Sequence, residues 1–322
     1  MKISVALCTY NGEQFLKEQL DSIINQTQKV DEIVICDDGS TDATLNILEN
    51  YSANYPHMFH IYRNEVNLKS VKNFEKAITL CTGDLIFLSD QDDIWVDNKV
   101  EKYVAYFDAN PNIEVLASNG YCIDENSKVH DKYSIWDVPQ FLRDANVTFD
   151  YYQIITQISN IASGSTMAFK KEIVSKVVPF PVFTDFHHDE WIALISSKSK
   201  SFELLNEKYY YYRIHNNQQV GGVFFDKTEK IKNKFVQIFN PLTTNYSFAE
   251  IKSKIKRLII AYIKNAMLSE IKNSQSNYFA ENTVLIKYEI IKMNKILKLQ
   301  NPFKYYVLLI SDKILKKRQL PF

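Results

Sequence analysis

The chain has 322 residues, 46% of them hydrophobic, with 38 basic side chains against 38 acidic ones. That is enough apolar material for one sizeable core plus an appendage, or for two modest domains, and it excludes a disordered chain. Apolar runs such as 258–261 and 307–310 fall far short of the roughly 20 residues that span a bilayer, so no segment reads as a transmembrane helix.

The zero net charge hides an asymmetry. Residues 1–226 carry 19 Lys and Arg against 32 Asp and Glu, while residues 227–322 carry 19 against 6. The chain therefore reads as an acidic body with a basic tail. Its first residues, MKISVALCTYNGEQFL, hold a short apolar run that ends in polar residues rather than in a cleavage site, as expected of a mature buried strand. Cys8, Cys36, Cys81 and Cys122 show no metal or CxxC spacing, which fits a reducing cytoplasm.

In chain order, strand-like and helix-like patterns alternate. Residues 2–9 predict a strand, and 13–26 a helix with Phe15, Leu16, Leu20, Ile23 and Ile24 on one face. Residues 32–36 predict a second strand, and Asp37-Asp38-Gly39-Ser40-Thr41-Asp42 supplies turn and cap chemistry before a helix carrying Leu45, Ile47 and Leu48. The pattern continues as strand 59–62, helix 71–80, strand 85–88, helix 98–107 and strand 113–117. Successive units of this kind predict an α/β fold with a mostly parallel sheet flanked by helices. Signals weaken over 130–165, where SIWDVPQFLRD suggests a covering loop. From 226 onward the pattern is basic and helical: Ile251, Ile255, Leu258, Ile259, Tyr262 and Ile263 share a face, with Lys254, Lys256, Arg257 and Lys264 around it. The expected organisation is an α/β domain over 1–225, which divides at about 120, followed by a basic amphipathic helical region over 226–322.

Ligands of parallel sheets bind outside the carboxyl ends of the strands. Three polar clusters fall there: Thr9-Tyr10-Asn11-Gly12, Asp37-Asp38-Gly39-Ser40 and Asp90-Gln91-Asp92-Asp93. Each by itself also reads as a solvated turn. The third places three carboxylates within four positions behind a buried strand. Such charges repel unless a cation lies among them, and a hard divalent ion, Mg2+ or Mn2+, suits an all-oxygen set. An EF-hand is excluded, because neither the glycine at loop position 6 nor the glutamate at position 12 follows Asp90. A P-loop and a GxGxxG fingerprint are also absent.

Taken together, VALCTYNG, EIVICDDGSTDAT, GDLIFLSDQDDIW and HHDEWIAL, in this order over residues 2–224, resemble the inverting family 2 glycosyltransferases of GT-A fold, in particular the rhamnosyltransferase-like branch. The resemblance implies that Thr9, Tyr10 and Asn11, with Asp37 or Asp38, line the pocket for the donor's base and ribose. It implies that Asp90 and Asp92 are the DxD pair, with Asp93 adjacent, and hold the metal against the donor diphosphate. Asp189 matches the family's catalytic base, with Glu190 beside it. Arg213 and His215 match an R-x-H segment near the diphosphate or the metal, and Asn73 matches a donor contact loosely. The chain departs from the family pattern at Lys69, where many relatives carry glycine, and at Gln218 and Gln219, which follow Asn217.

The resemblance thus implies a metal-dependent enzyme that moves a sugar from dTDP-rhamnose or a UDP-hexose to a bacterial surface glycan or lipid-linked oligosaccharide. A sugar-phosphate nucleotidyltransferase would need a glycine-rich first loop, which CTYNGEQF does not supply, and a non-catalytic glycan- or cation-binding module would need no base. His187, His188, Asp189 and Glu190 also read as the acidic first turn of a helix. Trp95 reads equally as a sugar platform and as core, Trp191 as core. The basic tail is either a solvated helical face or a contact for an anionic membrane surface on the inner face of the plasma membrane. Nucleic acid is not expected, since the acidic body offers no basic groove.

Overall fold

Alternating buried strands and one-sided helices build the first half of the chain: β1 (Ile3–Thr9), α1 (Leu16–Ile24), β2 (Glu32–Asp37), α2 (Thr44–Asn54), β3 (Phe59–Arg63), α3 (Lys69–Leu80) and β4 (Leu85–Ser89). There follow β5 (Ile94–Trp95), α4 (Lys99–Ala109), β6 (Val115–Ile123), β7 (Val129–His130), β8 (Lys132–Ser134), α5 (Val138–Asp144) and α6 (Tyr151–Gln157). The remainder comprises β9 (Ala168–Lys170), α7 (Val174–Val177), α8 (His188–Lys198), β10 (Phe202–Arg213), β11 (Phe224–Asp226), α9 (Glu229–Phe239), α10 (Phe248–Ser269), α11 (Ser276–Gln300) and α12 (Pro302–Ile314). This computed structural model describes residues 1–215, 223–241, 243, 246–271 and 276–315.

One sheet runs in the order β3-β2-β1-β4-β9-β6-β10-β5, with β7 paired to β6. β3, β2, β1 and β4 are mutually parallel. β9 is antiparallel to both β4 and β6, and β10 is parallel to β6. Continuous apolar runs explain the buried centre, since Val5, Leu7, Ile33, Ile35, Leu85 and Phe87 are fully covered on a sheet with helices against it.

The expected strands and helices of residues 2–117 lie within about two residues of where the periodicity puts them, apart from the short β5, which the pattern does not show, and two larger shifts of bounds. The first helix begins at Leu16 rather than at 13, because Phe15 and Leu16 both donate backbone hydrogen bonds to the Gly12 carbonyl in a tight turn. The strand expected over 113–117 extends as β6 to Ile123, where its partner β10 continues beside it. The stretch expected as a loop holds β7, β8, α5 and α6, elements too short to show a period. Trp136, between β8 and α5, is buried against Tyr210, Tyr212 and Phe224.

By internal packing the chain divides into two compact units, one of Met1–Phe141 with Ile161–Lys232, the other of Leu142–Asn160 with Asn233–Phe322. The first contains the sheet. In the second, Ile251, Ile255 and Leu258 of α10 pack against Ile286, Ile290 and Leu297 of α11.

At the amino ends of the strands, Glu32 ties β1, β2 and the entry to β4 together. Its carboxylate accepts from the Ser4 hydroxyl (2.5 Å), the Thr82 N–H (2.6 Å) and hydroxyl (2.7 Å), and the Lys2 ammonium (3.0 Å). Burial by itself raises its pKa, but these hydrogen bonds outweigh burial and lower it to about 2. A depressed carboxyl stabilises the fold above the unfolded value of about 4.5 and loses that contribution as pH falls towards 2. Glu32→Gln is therefore expected to cost about 2 kcal/mol at pH 7 and progressively less below pH 4, as read from urea unfolding across that range.

Candidate active site

The chain leaves β1 to one side for β2 and β3, then returns to the other side at β4, so the sheet reverses its winding between β1 and β4. Such a reversal opens a crevice at the strands' carboxyl ends. The three polar clusters sit on the neighbouring strands β2, β1 and β4 around that crevice.

The clusters are knitted to each other. The Gln91 amide accepts from the Tyr10 N–H (2.8 Å) and donates to the Tyr10 carbonyl (3.0 Å), continuing the pairing of β1 and β4 with a side chain. A Cβ on Gly12 would lie 2.3 Å from Gln91 Oε1, so glycine leaves room for that clamp. Asn11 adopts φ 49°, a left-handed conformation that asparagine tolerates. Its N–H donates to the Ser40 hydroxyl (2.9 Å), and its side-chain oxygen accepts from the Thr41 N–H (2.9 Å). Tyr10 itself is left half exposed at the rim.

Asp37 is fully buried, and its carboxylate accepts from the Thr9 hydroxyl (2.9 Å), the Ser40 N–H (2.9 Å) and the Ser40 hydroxyl (2.5 Å). Asp38 binds the next loop, accepting from the Asn64 amide (2.8 Å) and the backbone N–H groups of Leu68 (2.7 Å) and Lys69 (2.9 Å). Asn73 is buried beneath, donating to the Cys36 carbonyl (2.8 Å) and accepting from Asn64 (2.8 Å). These groups hold the chain in shape around the crevice.

After β4 the three carboxylates separate. Asp90 and Asp92 are partly exposed, and His215 Nε2 lies 2.9 Å from Asp92 Oδ2. Burial, then the charges of Asp92 and Asp189, push the Asp90 carboxyl up to about 7 against the pull of Lys99. Asp93 is buried behind them, its Oδ1 accepting from the Arg213 N–H (3.1 Å). The Arg213 side chain has no exposed surface. It donates to the Asp92 carbonyl (2.8 Å), the Ser127 hydroxyl (2.9 Å) and the Glu18 carboxylate (2.8 Å), and its guanidinium covers the Phe15 ring at 4.5 Å. The arginine matched to a donor contact thus clamps the acidic loop from behind, while His215 reaches the rim. Asn217, Gln218 and Gln219 lie outside the described residues.

Lys99 is the site residue that sequence reasoning missed. It is fully buried on α4, with its ammonium 2.9 Å from the Ser165 carbonyl and 4.1 Å from the centre of the Trp95 ring. Burial pulls its pKa down to about 7, opposed by the charges of Asp93 and Asp90. One turn later, the Tyr103 hydroxyl donates to the Thr166 carbonyl (2.6 Å). Lys99 and Tyr103 thereby hold the 163–166 turn from below. Near them Asp93 Oδ2 and the Ser165 and Tyr210 hydroxyls are buried without a hydrogen bond of sound geometry; burial, then the Asp92 and Asp90 charges, pushes the Asp93 carboxyl well above the usual carboxylate range, and burial raises the Tyr210 hydroxyl likewise, each eased slightly by Ser165. A single lysine spaced four residues after Trp95 carries no sequence signal of burial.

The 163–166 turn reaches Asp189. The Gly164 N–H lies 3.2 Å from Asp189 Oδ2, and the Glu190 N–H donates to Oδ1 at 2.7 Å. Asp189 is in the first turn of α8, where the helix dipole favours an anion. His188 is buried, stacked on Phe74 with ring centres 4.0 Å apart, and neither ring nitrogen has a hydrogen-bond partner. Burial lowers its pKa to about 4, so the ring is neutral near pH 7. Glu190 is buried. Trp95 and Trp191 are both core, the latter donating to the Val177 carbonyl (2.8 Å).

The donor set at the rim suits a hard divalent ion: Asp90 and Asp92 present carboxylates whose mutual repulsion a cation would relieve, and His215 adds an imidazole nitrogen. Among the described residues no three His, Cys, Asp or Glu side chains stand together as a finished cation site. A cation at the rim would need further ligands beyond these three side chains.

Comparison with known proteins follows the same lines. The Glycosyl transferase family 2 model matches residues 4–178. The putative glycosyltransferase EpsE of Bacillus subtilis is 33% identical over 124 residues, 38% of this chain and 45% of that protein, so the chain spans just under half of EpsE. The dTDP-rhamnosyl transferase RfbG of Shigella flexneri is 29% identical over 230 residues, 67% of this chain and 74% of RfbG. Among solved structures, S. aureus TarS 1–349 in complex with UDP-GlcNAc is similar, with TM-score 0.55 and 17% identity over 94% of this chain and 75% of that one. At that identity the likeness speaks for the fold.

Removing the Lys99 amine leaves the buried Ser165 carbonyl without its donor and takes a basic group from beside Asp93 and Asp90. Lys99→Met is expected to cost about 3 kcal/mol in urea unfolding, and Lys99→Met combined with Asp93→Asn less than Lys99→Met alone.

Proposed function

The chain belongs to glycosyltransferase family 2 and has the GT-A fold, and from that premise we propose that it transfers a sugar, with inversion, from a nucleoside diphosphate donor to a bacterial surface glycan or lipid-linked oligosaccharide. Similarity to a dTDP-rhamnosyl transferase supports dTDP-rhamnose as donor, and similarity of fold to a UDP-GlcNAc complex keeps a UDP-hexose in view. The acceptor reaction belongs on the inner face of the plasma membrane. No helix among the described residues is long and apolar enough to cross it.

The observation that carries this reading is the convergence of three polar strand ends and Asp189 on one crevice, close enough that Asp189 raises the pKa of Asp90. The rim of Thr9, Tyr10 and Asn11, shaped by the buried Asp37 and Asp38, receives the base and ribose. Asp90, Asp92 and His215, backed by Asp93, would hold Mg2+ or Mn2+. The ion, when bound, offsets the negative charge of the diphosphate leaving group.

Asp189 takes the proton of the acceptor hydroxyl on a carboxylate oxygen while the hydroxyl oxygen bonds to the anomeric carbon and the bond to the diphosphate oxygen breaks. The Gly164 N–H and the start of α8 aim that carboxylate, and the neutral His188 beside it adds no competing charge.

Two measurements test the reading. Asp92→Ala and Asp189→Ala are each expected to lower sugar transfer at least about 100-fold with the unfolding midpoint preserved, and turnover retained by both variants would refute an enzymatic role. Because a metal at the rim would share ligands with the donor, Mn2+ is expected to bind more tightly in the presence of UDP or dTDP than without. Titration calorimetry giving equal affinities would separate the metal from the donor.

A further inference from the structure

The second unit leaves an apolar helical face uncovered. Tyr305 and Leu308 of α12 pack against the core shared by α10 and α11. On the opposite side Phe303, Tyr306, Val307, Ile310 and Ile314 fall within about 100° of arc at 3.6 residues per turn. No residue of α12 is buried, and Phe303, Ile310 and Ile314 are 80%, 61% and 73% exposed. Lys304 and Lys313 flank this stripe on either side. Helix α11 repeats the arrangement, with exposed Val284, Tyr288, Ile291 and Leu299 interleaved with Lys292, Lys295 and Lys298. The two faces adjoin, because the Lys298 ammonium lies 5.4 Å from the centre of the Tyr306 ring.

We propose that the joined outer faces of α11 and α12 dock this protein in the plane of an anionic lipid bilayer, the stripe entering the acyl boundary and the lysines meeting lipid phosphates. At 13 residues α12 is about 20 Å long, too short to span a hydrocarbon core of about 30 Å but suited to lie along its surface. Charge selects the occupant. Residues 227–322 hold 19 basic side chains against 6 acidic ones, so a second copy would bring like charge to the same face, whereas anionic headgroups complement it. The inference deepens the proposed function, which places the acceptor at a membrane, and its test involves no turnover.

The test is cosedimentation of the purified chain with vesicles of phosphatidylcholine alone or with phosphatidylglycerol added, at low and high salt. Partitioning is expected to rise at least about tenfold with phosphatidylglycerol, to fall with salt, and to drop about tenfold in Ile310→Ser/Ile314→Ser and in Lys295→Glu/Lys298→Glu. Both variants are expected to keep the wild-type unfolding midpoint. Equal binding to the two vesicle types, or unchanged binding by the variants, would overturn the proposal. So would light scattering that shows an oligomer dispersed by Ile310→Ser/Ile314→Ser, because the face would then hold a second copy.

Discussion

The repulsion among carboxylates at the end of β4 is the constraint around which the catalytic unit is organised. Placing Asp90, Asp92 and Asp93 where a buried strand opens into a crevice puts their charges at the edge of a weakly polarisable core. Each is answered from a different direction. Lys99 lies below in the core, Arg213 clamps the loop from behind, and His215 pairs with Asp92 at the rim. What stays unbalanced faces the crevice, where a cation and a diphosphate would complete the set.

Those counter-charges also connect the acidic loop to the rest of the site. Lys99 grips the 163–166 turn, and the same turn presents the Gly164 N–H to Asp189. Asp90 and Asp92, which would hold a metal, and Asp189, the proposed base, are therefore set by one packed layer of α4, the turn and α8. Above it, the Gln91 clamp on Tyr10 and the hydrogen bonds of Asp37 and Asp38 fix the loops of the rim. Polar groups buried this fully cost stability when unpaired, so the pairing of Asp37, Asp38 and Asn73 shows how much of the rim is built as structure.

The second unit follows a different physical logic. Its α10 and α11 bury one ridge of Ile and Leu against each other, while the outward faces of α11 and α12 keep large apolar side chains among lysines. A helix that is apolar on two sides is covered on both in a stable environment, and water covers neither well.

Most of the fold was legible in the sequence, because strand and helix periods are local. The βα alternation of residues 2–117 sets the strand ends, and the strand ends locate Thr9, Asp37 and Asp90. Charge counting likewise separated an acidic body from a basic tail. Tertiary structure alone decided which polar residues face the crevice and which support it, since that depends on partners far apart in sequence. Arg213 meets Glu18 across 195 positions, and Lys99 meets Ser165 across 66. No local pattern distinguishes a lysine buried beneath a carboxylate from one in solvent, or an arginine aimed at a ligand from one that clamps a loop. Those assignments come from packing, because desolvation and pairing act between residues that only the folded chain brings together.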